Sequence, residues 1–344
     1  MKKILYLIIS LTLLSACDVH EWPEAPEFVK LHLRLNYETD MVEWNHTYDN
    51  STISEQGLGA TYDNSQDSGI MRYIIRTYPM TKSSQEFVQE FVLTKDVVDG
   101  YNHNVTLDIL PGNYNIKVWA DLVESKDNEY PYDATSFAQI KLLGSHKGST
   151  NYRDAFRGSK DVSLESSIDA RQPDTLDIVM QRPVAKFEFV TTDVVKFIGK
   201  EATRIANQEG GNATQSIDIE DYKVVFYYVG FMPNTYSIIT DKPVDSATGV
   251  MFESSMKMLS DTEAQVGFDY VFANNNESAV TVQIGVYDSA GEQLSLTEPI
   301  EVPVKRSHHT ILKGMFLMSD AAGGVAINPN YDGNHNIVFG EIGD

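Results

Sequence analysis

Apolar residues in this chain recur mainly at every second position, in short runs, and rarely at the three-and-four spacing of a helix. The first run sets the pattern. Val29, Leu31, Leu33 and Leu35 fall on one face of a strand, and Lys30, His32, Arg34 and Asn36 on the other. Further strands are predicted at Tyr73–Tyr78, Glu86–Thr94, Val105–Leu110, Tyr114–Ala120, Val162–Leu164 and Thr175–Met180. The second half adds Val184–Val190, Tyr222–Gly230, Tyr236–Ile239, Gln265–Phe272, Val280–Asp288, Ile300–Val304 and His309–Met318, then Val325–Ile327 and Asn336–Phe339. Turn residues separate them. Pro111-Gly112-Asn113 is a hairpin signal, because Pro presets φ and Gly tolerates positive φ. One helix is predicted, near Asp193–Gln208, with Val194, Ile198, Ala202, Ile205 and Ala206 as its apolar stripe and Lys196, Lys200 and Arg204 on a solvated face. A set of short strands with a single helix buries its apolar faces strand against strand, which predicts an all-β chain of sandwiches.

Only one cysteine is present, Cys17, so no disulfide within the chain and no cluster of thiolates contributes to stability. Its context gives it another use. Lys2 and Lys3 form a charged n-region, Ile4 to Leu14 an apolar segment, and Leu14-Ser15-Ala16-Cys17 ends in the small residues that a signal peptidase needs. The segment is shorter than the roughly 20 apolar residues that span a bilayer. A nucleophilic sulfur there accepts diacylglycerol, and cleavage before it frees an amine for a further acyl chain. Stable anchoring takes more than one chain. The mature protein is expected to begin at Cys17, tethered to a membrane and outside the cytoplasm.

With 27 Lys plus Arg against 49 Asp plus Glu, the formal charge of −22 argues against nucleic acid, whose phosphates require clustered cations. Catalytic constellations are also missing from the sequence. None of the histidines His20, His32, His46, His103, His146, His308, His309 and His335 falls in a helical metalloprotease pattern, and there is no G-x-S-x-G elbow or phosphate-cradling glycine loop. Asp63 to Gly69 has oxygen side chains at alternate positions but fails the EF-hand test, with Ser68 at position six and Ile74 at position twelve. No enzyme, cofactor or metal site is expected.

Residues Asp18 to Glu27 read as an extended acidic tether. The polar stretch from Glu38 to Gly69 exceeds most loops of compact domains and reads as an insertion, either partly disordered or folded over a sheet edge. Within it Trp44, Tyr48 and Tyr62 pin the loop to the sheet or form a sugar-stacking platform. Trp119 lies opposite Tyr114, Ile116 and Val118, covered by the chain itself or by a partner. Ser136–Gly144 is a helical or irregular excursion. Gln181-Arg182-Pro183 interrupts the strand pattern and marks a domain boundary. The expected organisation is a leader at 1–16, an acylated tether at 17–27, one β-sandwich at 28–182 and another at 183–344.

Four segments carry a family resemblance: Cys17-Asp18-Val19-His20-Glu21-Trp22-Pro23 after the lipid-attachment signal; Leu110 to Asp121 (LPGNYNIKVWAD); Arg182 to Phe189 (RPVAKFEF); and Val302 to Gly314 (VPVKRSHHTILKG). The chain resembles the fimbrillin superfamily of Bacteroidetes, which includes stem, tip and anchor subunits of donor-strand pili. The resemblance implies two tandem transthyretin-like β-sandwich domains, the short helix in the second, and a role in fimbriae or cell adhesion at the outer membrane surface. Partners would be other fimbrial subunits, engaged by strand exchange, and the membrane through the lipid.

In that superfamily, stem subunits lose their lipidated first strand to an Arg- or Lys-specific protease, and a neighbour's strand fills the groove. Between Cys17 and Arg72 the only such residues here are Lys30 and Arg34, both inside the first predicted strand. Retention of lipid and strand is therefore expected, which favours an anchor or accessory role over a polymerising stem. The alternative is a glycan-binding lipoprotein of a polysaccharide-uptake system, which requires exposed aromatics at Trp44, Tyr48 or Trp119. Asp174-Thr175-Leu176, Asp245-Ser246-Ala247 and Asp288-Ser289-Ala290 resemble the O-glycosylation sequon of Bacteroidetes envelopes, with Thr175, Ser246 and Ser289 as acceptors.

Overall fold

The computed structural model describes residues 27–49, 52–64, 69–80, 86–97, 101, 103–123, 130–164, 174–208 and 217–319. Its strands in chain order are β1 (Val29–Tyr37), β2 (Asp40–Asp49), β3 (Thr52–Asp63), β4 (Ile70–Pro79), β5 (Gln89–Asp96), β6 (His103–Ile109), β7 (Gly112–Leu122), β8 (Tyr132–Asp133), β9 (Ile140–Leu142), β10 (Ala155–Leu164) and β11 (Asp174–Met180). After them come β12 (Val184–Thr191), helix α1 (Val194–Gln208), β13 (Lys223–Tyr228), β14 (Met232–Ser237), β15 (Lys242–Ala247), β16 (Met251–Ser255), β17 (Lys257–Met258), β18 (Ala264–Phe272), β19 (Ser278–Tyr287), β20 (Gln293–Leu296), β21 (Ile300–Val304) and β22 (His308–Gly314). The fold is nearly all β, as the alternation predicts. The expected strands at Val325–Ile327 and Asn336–Phe339 lie outside the described residues.

One sandwich packs a sheet of order β11-β1-β6 against one of order β10-β7-β4-β5. Leu31, Leu33 and Leu35 of β1 meet Tyr73 and Ile75 of β4 and Ile116 and Val118 of β7 in its core. Strand β4 is buried on both faces, because Ile74 and Tyr78 point away from this core into a second apolar layer. That layer also takes Trp119, whose ring meets Tyr132 edge-on at 5.3 Å. The segment carrying β8 and β9 covers Trp119 completely. A strand covered on two faces needs apolar residues at consecutive positions, as Tyr73-Ile74-Ile75 shows.

The other sandwich has a sheet of order β17-β18-β12-β22-β2-β3 facing one in which β16, β13 and β19 are followed by β20 and β21, both paired to β19. Its first sheet contains the greatest departure from the sequence reading. The polar stretch after β1 is a β-hairpin, β2–β3, that leaves the first sandwich and extends this sheet, with β2 running parallel to β22. The hairpin alternates one-sidedly: Met41, Trp44, His46 and Tyr48 are buried while their neighbours are more exposed. A register shift between Val42 and Trp44 breaks the period of two, which hides the strand in the sequence.

Helix α1 begins within one residue of its predicted start, but its buried face differs. Val194, Phe197 and Glu201 are buried whereas Ala202 is exposed. Phe197 packs edge-on against Tyr222, and Arg204 pairs with Glu201 and Asp288. Phe197, rather than Ala202, supplies the area that holds the helix to the sheet.

At the meeting of the sandwiches, Arg182 is fully buried. Its Nη1 donates to the Thr39 carbonyl at 2.5 Å, where the chain passes from β1 to β2, and its guanidinium grips Asp154. Asn64, at the end of β3, donates to the Tyr270 hydroxyl at 3.0 Å. The passages into and out of the β2–β3 hairpin are thus tied down by side chains.

Candidate functional site

Two places are built for more than packing. The first is β1. It is hydrogen-bonded on both edges, antiparallel to β6 and parallel to β11. On its inner face Leu31, Leu33 and Leu35 are at most 1% exposed. On its outer face each polar side chain meets one from a flanking strand. Lys30 pairs with Asp108 at 3.2 Å, His32 Nδ1 lies 2.6 Å from Thr106 Oγ1, and Arg34 donates to Asp177 at 2.7 Å. The Arg34 hydrogen bond, with Asn36 also donating, holds the Asp177 carboxyl below the usual carboxylate range. Both residues that a trypsin-like protease would recognise, Lys30 and Arg34, therefore sit inside a strand paired on either side. Cleavage needs the backbone extended and free, which such a strand is not until the sandwich opens.

The second place is a cleft of about 750 Å³ between the β2–β3 hairpin and strand β21. Trp44, His46 and Tyr48 form its β2 wall, and Glu55, Glu277 and Glu301 contribute carboxylates. Trp44 Nε1 donates to Glu55 Oε1 at 3.0 Å, and its ring lies 5.0 Å from the His46 ring and 5.9 Å from that of His308. Tyr48 stacks on Phe316 at 5.3 Å. Burial pushes the His46 pKa down against the opposing pull of Glu55 and Glu277, which favours a neutral ring.

These placements correct part of the sequence reading. Trp44, Tyr48 and Trp119 are all buried, so none presents the open aromatic face that sugar stacking requires. The alternation of Trp44, His46 and Tyr48 was the available signal for the cleft; its carboxylates come from three separate segments and left none. Of the three hydroxyls in sequon-like triplets, Thr175 on β11 and Ser289 in the turn after β19 are exposed. Ser246 is buried, and its Oγ meets no hydrogen-bond partner among the described residues. Cys17 lies outside the described residues, as do 65–68 of the calcium-like loop.

His308 and His309 diverge as expected for adjacent strand residues: His308 approaches Trp44 and His309 pairs with Glu188 at 3.0 Å. Among the described residues no three metal-binding side chains converge, and no helix is long and apolar enough to cross a membrane.

A fold of two all-β sandwiches with a clamped first strand defines a class of scaffold, and its family is visible in the sequence. Residues 26–340 match the model of a family of unknown function, DUF6562, and the chain belongs to that family. No curated protein matches the sequence. Among solved structures the chain is similar to a candidate adhesin from Bacteroides thetaiotaomicron, with TM-score 0.43, 10% identity and coverage of 86% of this chain and 94% of that one. It is similar to a fimbrial assembly protein from Parabacteroides distasonis, with TM-score 0.39, 10% identity and coverage of 86% and 93%. It is also similar to the fimbrial anchor protein Mfa2 from Porphyromonas gingivalis, with TM-score 0.38, 11% identity and coverage of 78% and 82%.

Proposed function

We propose that this chain is a non-enzymatic, lipid-anchored protein of the cell surface, serving as an anchor or accessory subunit of a fimbrial assembly in adhesion. One observation carries the reading. The strand next to the acylated tether, β1, is the central strand of its sheet and fills the core with Leu31, Leu33 and Leu35. Excising it would uncover that core and leave two unpaired strand edges, on β6 and β11. The tether therefore remains joined to the fold, and the fold to the membrane through Cys17. The roles stated for the fimbrial anchor and assembly proteins point the same way. Other subunits would attach by adding a strand to a sheet edge, β3 or β5, each paired on one side only among the described residues. Thr175 and Ser289 are the hydroxyls open to O-glycosylation.

Protease shaving of intact cells, with pull-down of the lipid-anchored material, tests this role. Loss of the protein on shaving and co-purification of fimbrial subunits is the expected result. Protection inside the envelope, or a pull-down free of such subunits, would contradict it.

A further inference from the structure

Four large apolar side chains that stay exposed are gathered at one end of the first sandwich. Phe28 stands immediately before β1, Met80 follows β4, and Phe87 and Val88 precede β5; each is between 42% and 54% exposed. Strand pairing places them together. Val29 at the start of β1 lies opposite Ile109 at the end of β6, the Leu110 N–H donates to the Gln89 side chain at 2.9 Å, and the Met80 N–H donates to the Asn113 carbonyl at 3.0 Å. The start of β1, the β6–β7 turn and the neighbouring ends of β4 and β5 therefore share this end. At its other end β1 runs into the connection gripped by Arg182, through which the chain enters the second sandwich.

We propose that this end of the fold rests on a lipid bilayer, with Phe28, Met80, Phe87 and Val88 entering the boundary between headgroups and acyl chains. The inference rests on the lipid-anchored reading and adds an orientation to it. Exposed apolar side chains gathered in one place mark a surface for a partner, and the length of the tether says which. Phe28 follows Cys17 by eleven residues, and an extended chain spans at most roughly 3.3–3.6 Å per residue, so an acylated Cys17 holds Phe28 within about 40 Å of the bilayer. This is also the end from which the tether leaves β1. The charged groups nearby pair with each other, Lys30 with Asp108 and Arg76 with Glu90, and the whole chain carries −22, so the contact rests on apolar burial and not on headgroup charge. Stable attachment takes more than one membrane signal, and these side chains supply one beside the acyl chains. They also fix a direction: β1 points away from the membrane, toward the second sandwich.

The test uses the acylated mature chain in phosphatidylcholine vesicles whose acyl chains carry nitroxide quenchers. Acylation consumes the only native thiol, so Met80→Cys, Val88→Cys and Val179→Cys each provide one site for a fluorescent label. Val179 is exposed on β11 opposite Asn36, near the far end of β1, and serves as the reference. Lipid should quench the label at positions 80 and 88 more strongly than at 179, by about threefold or more, and equally at low and high salt. Phe28→Asp combined with Met80→Asp should lower the quenching at position 88 about twofold or more while leaving the thermal midpoint unchanged, because both side chains are exposed. Equal quenching at all three positions, quenching that the paired Asp substitutions leave intact, or labels already shielded from water without vesicles would overturn the proposal. A Cys17→Ser chain, which carries no lipid, should show the same order of quenching at high lipid concentration. An unmodified Cys17 in the native protein would contradict the anchored reading and leave that order in place; a flat or reversed order would contradict the contact and leave the acylation in place.

Discussion

Arg182 and Asp154 form a doubly hydrogen-bonded ion pair with no solvent exposure on either side chain: Nε donates to Oδ1 and Nη2 to Oδ2, each at 2.9 Å. The pair joins the start of β10 to the start of β12, and the remaining guanidinium hydrogens reach the carbonyls of the β1–β2 connection. It is the point through which the two sandwiches are registered. Removing one partner leaves a buried charge uncompensated, at a cost of about 3–5 kcal/mol. Asp154→Ala is expected to lower stability in urea by that amount. Asp154→Leu combined with Arg182→Met should recover a substantial part of it, because the double replacement buries no lone charge.

Strand β1 should behave as core and not as a detachable arm. Leu33→Ala, at a position with no exposure, is expected to cost about 2–5 kcal/mol. Arg34→Ala, which removes a fully exposed and solvent-screened pair with Asp177, should leave the denaturation midpoint nearly unchanged. Native-state proteolysis with trypsin reads the difference: cutting after Lys30 should accelerate in Leu33→Ala and change little in Arg34→Ala.

Gly158 lies where β10 passes under β11. A Cβ there would meet Ile178 Cγ2 and Met180 Sδ at 2.6 Å and the Val179 carbonyl at 2.9 Å. The backbone contact cannot rotate away. Gly158→Ala is expected to destabilise the chain by about 1–3 kcal/mol through overpacking, measured as a lower denaturation midpoint.

Stability should decline in mild acid. Burial lowers the pKa of His46, of His103 (with Lys95 adding to the effect) and of His309, where the hydrogen bond donated to the Glu188 carboxylate opposes it. Each group then has a folded pKa below its unfolded value of about 6.5. The unfolded chain takes up more protons as the pH falls through that value, so the folded state loses stability from roughly pH 6.5 downward. Thermal midpoints between pH 7.5 and 5 should fall, and His103→Gln should flatten the slope. A midpoint independent of pH over this range would contradict the assignment.

How far the fold was legible depends on what each segment faces. Strands with one solvated face, such as β1 and β6, announce themselves by strict alternation. Helix α1 is legible from its period, although Phe197 and Glu201 rather than Ala202 lie against the sheet. The β2–β3 hairpin is not legible as part of a sheet, because its shift after Val42 breaks the alternation and its partner β22 lies far along the chain. The same distance hides the cleft: His46 and Glu277 become neighbours only once β2 is placed beside β22. Ser246, read as an open acceptor, sits in a strand whose pairing with β14 buries it.

The retained anchor is tested most directly by the mass of the N-terminal peptide of the mature protein isolated from membranes. The expected peptide starts at an acylated Cys17 and runs unbroken through Tyr37. A mature form starting at Leu31 or Leu35, after cleavage at Lys30 or Arg34, would show that β1 is released and would contradict the anchor role.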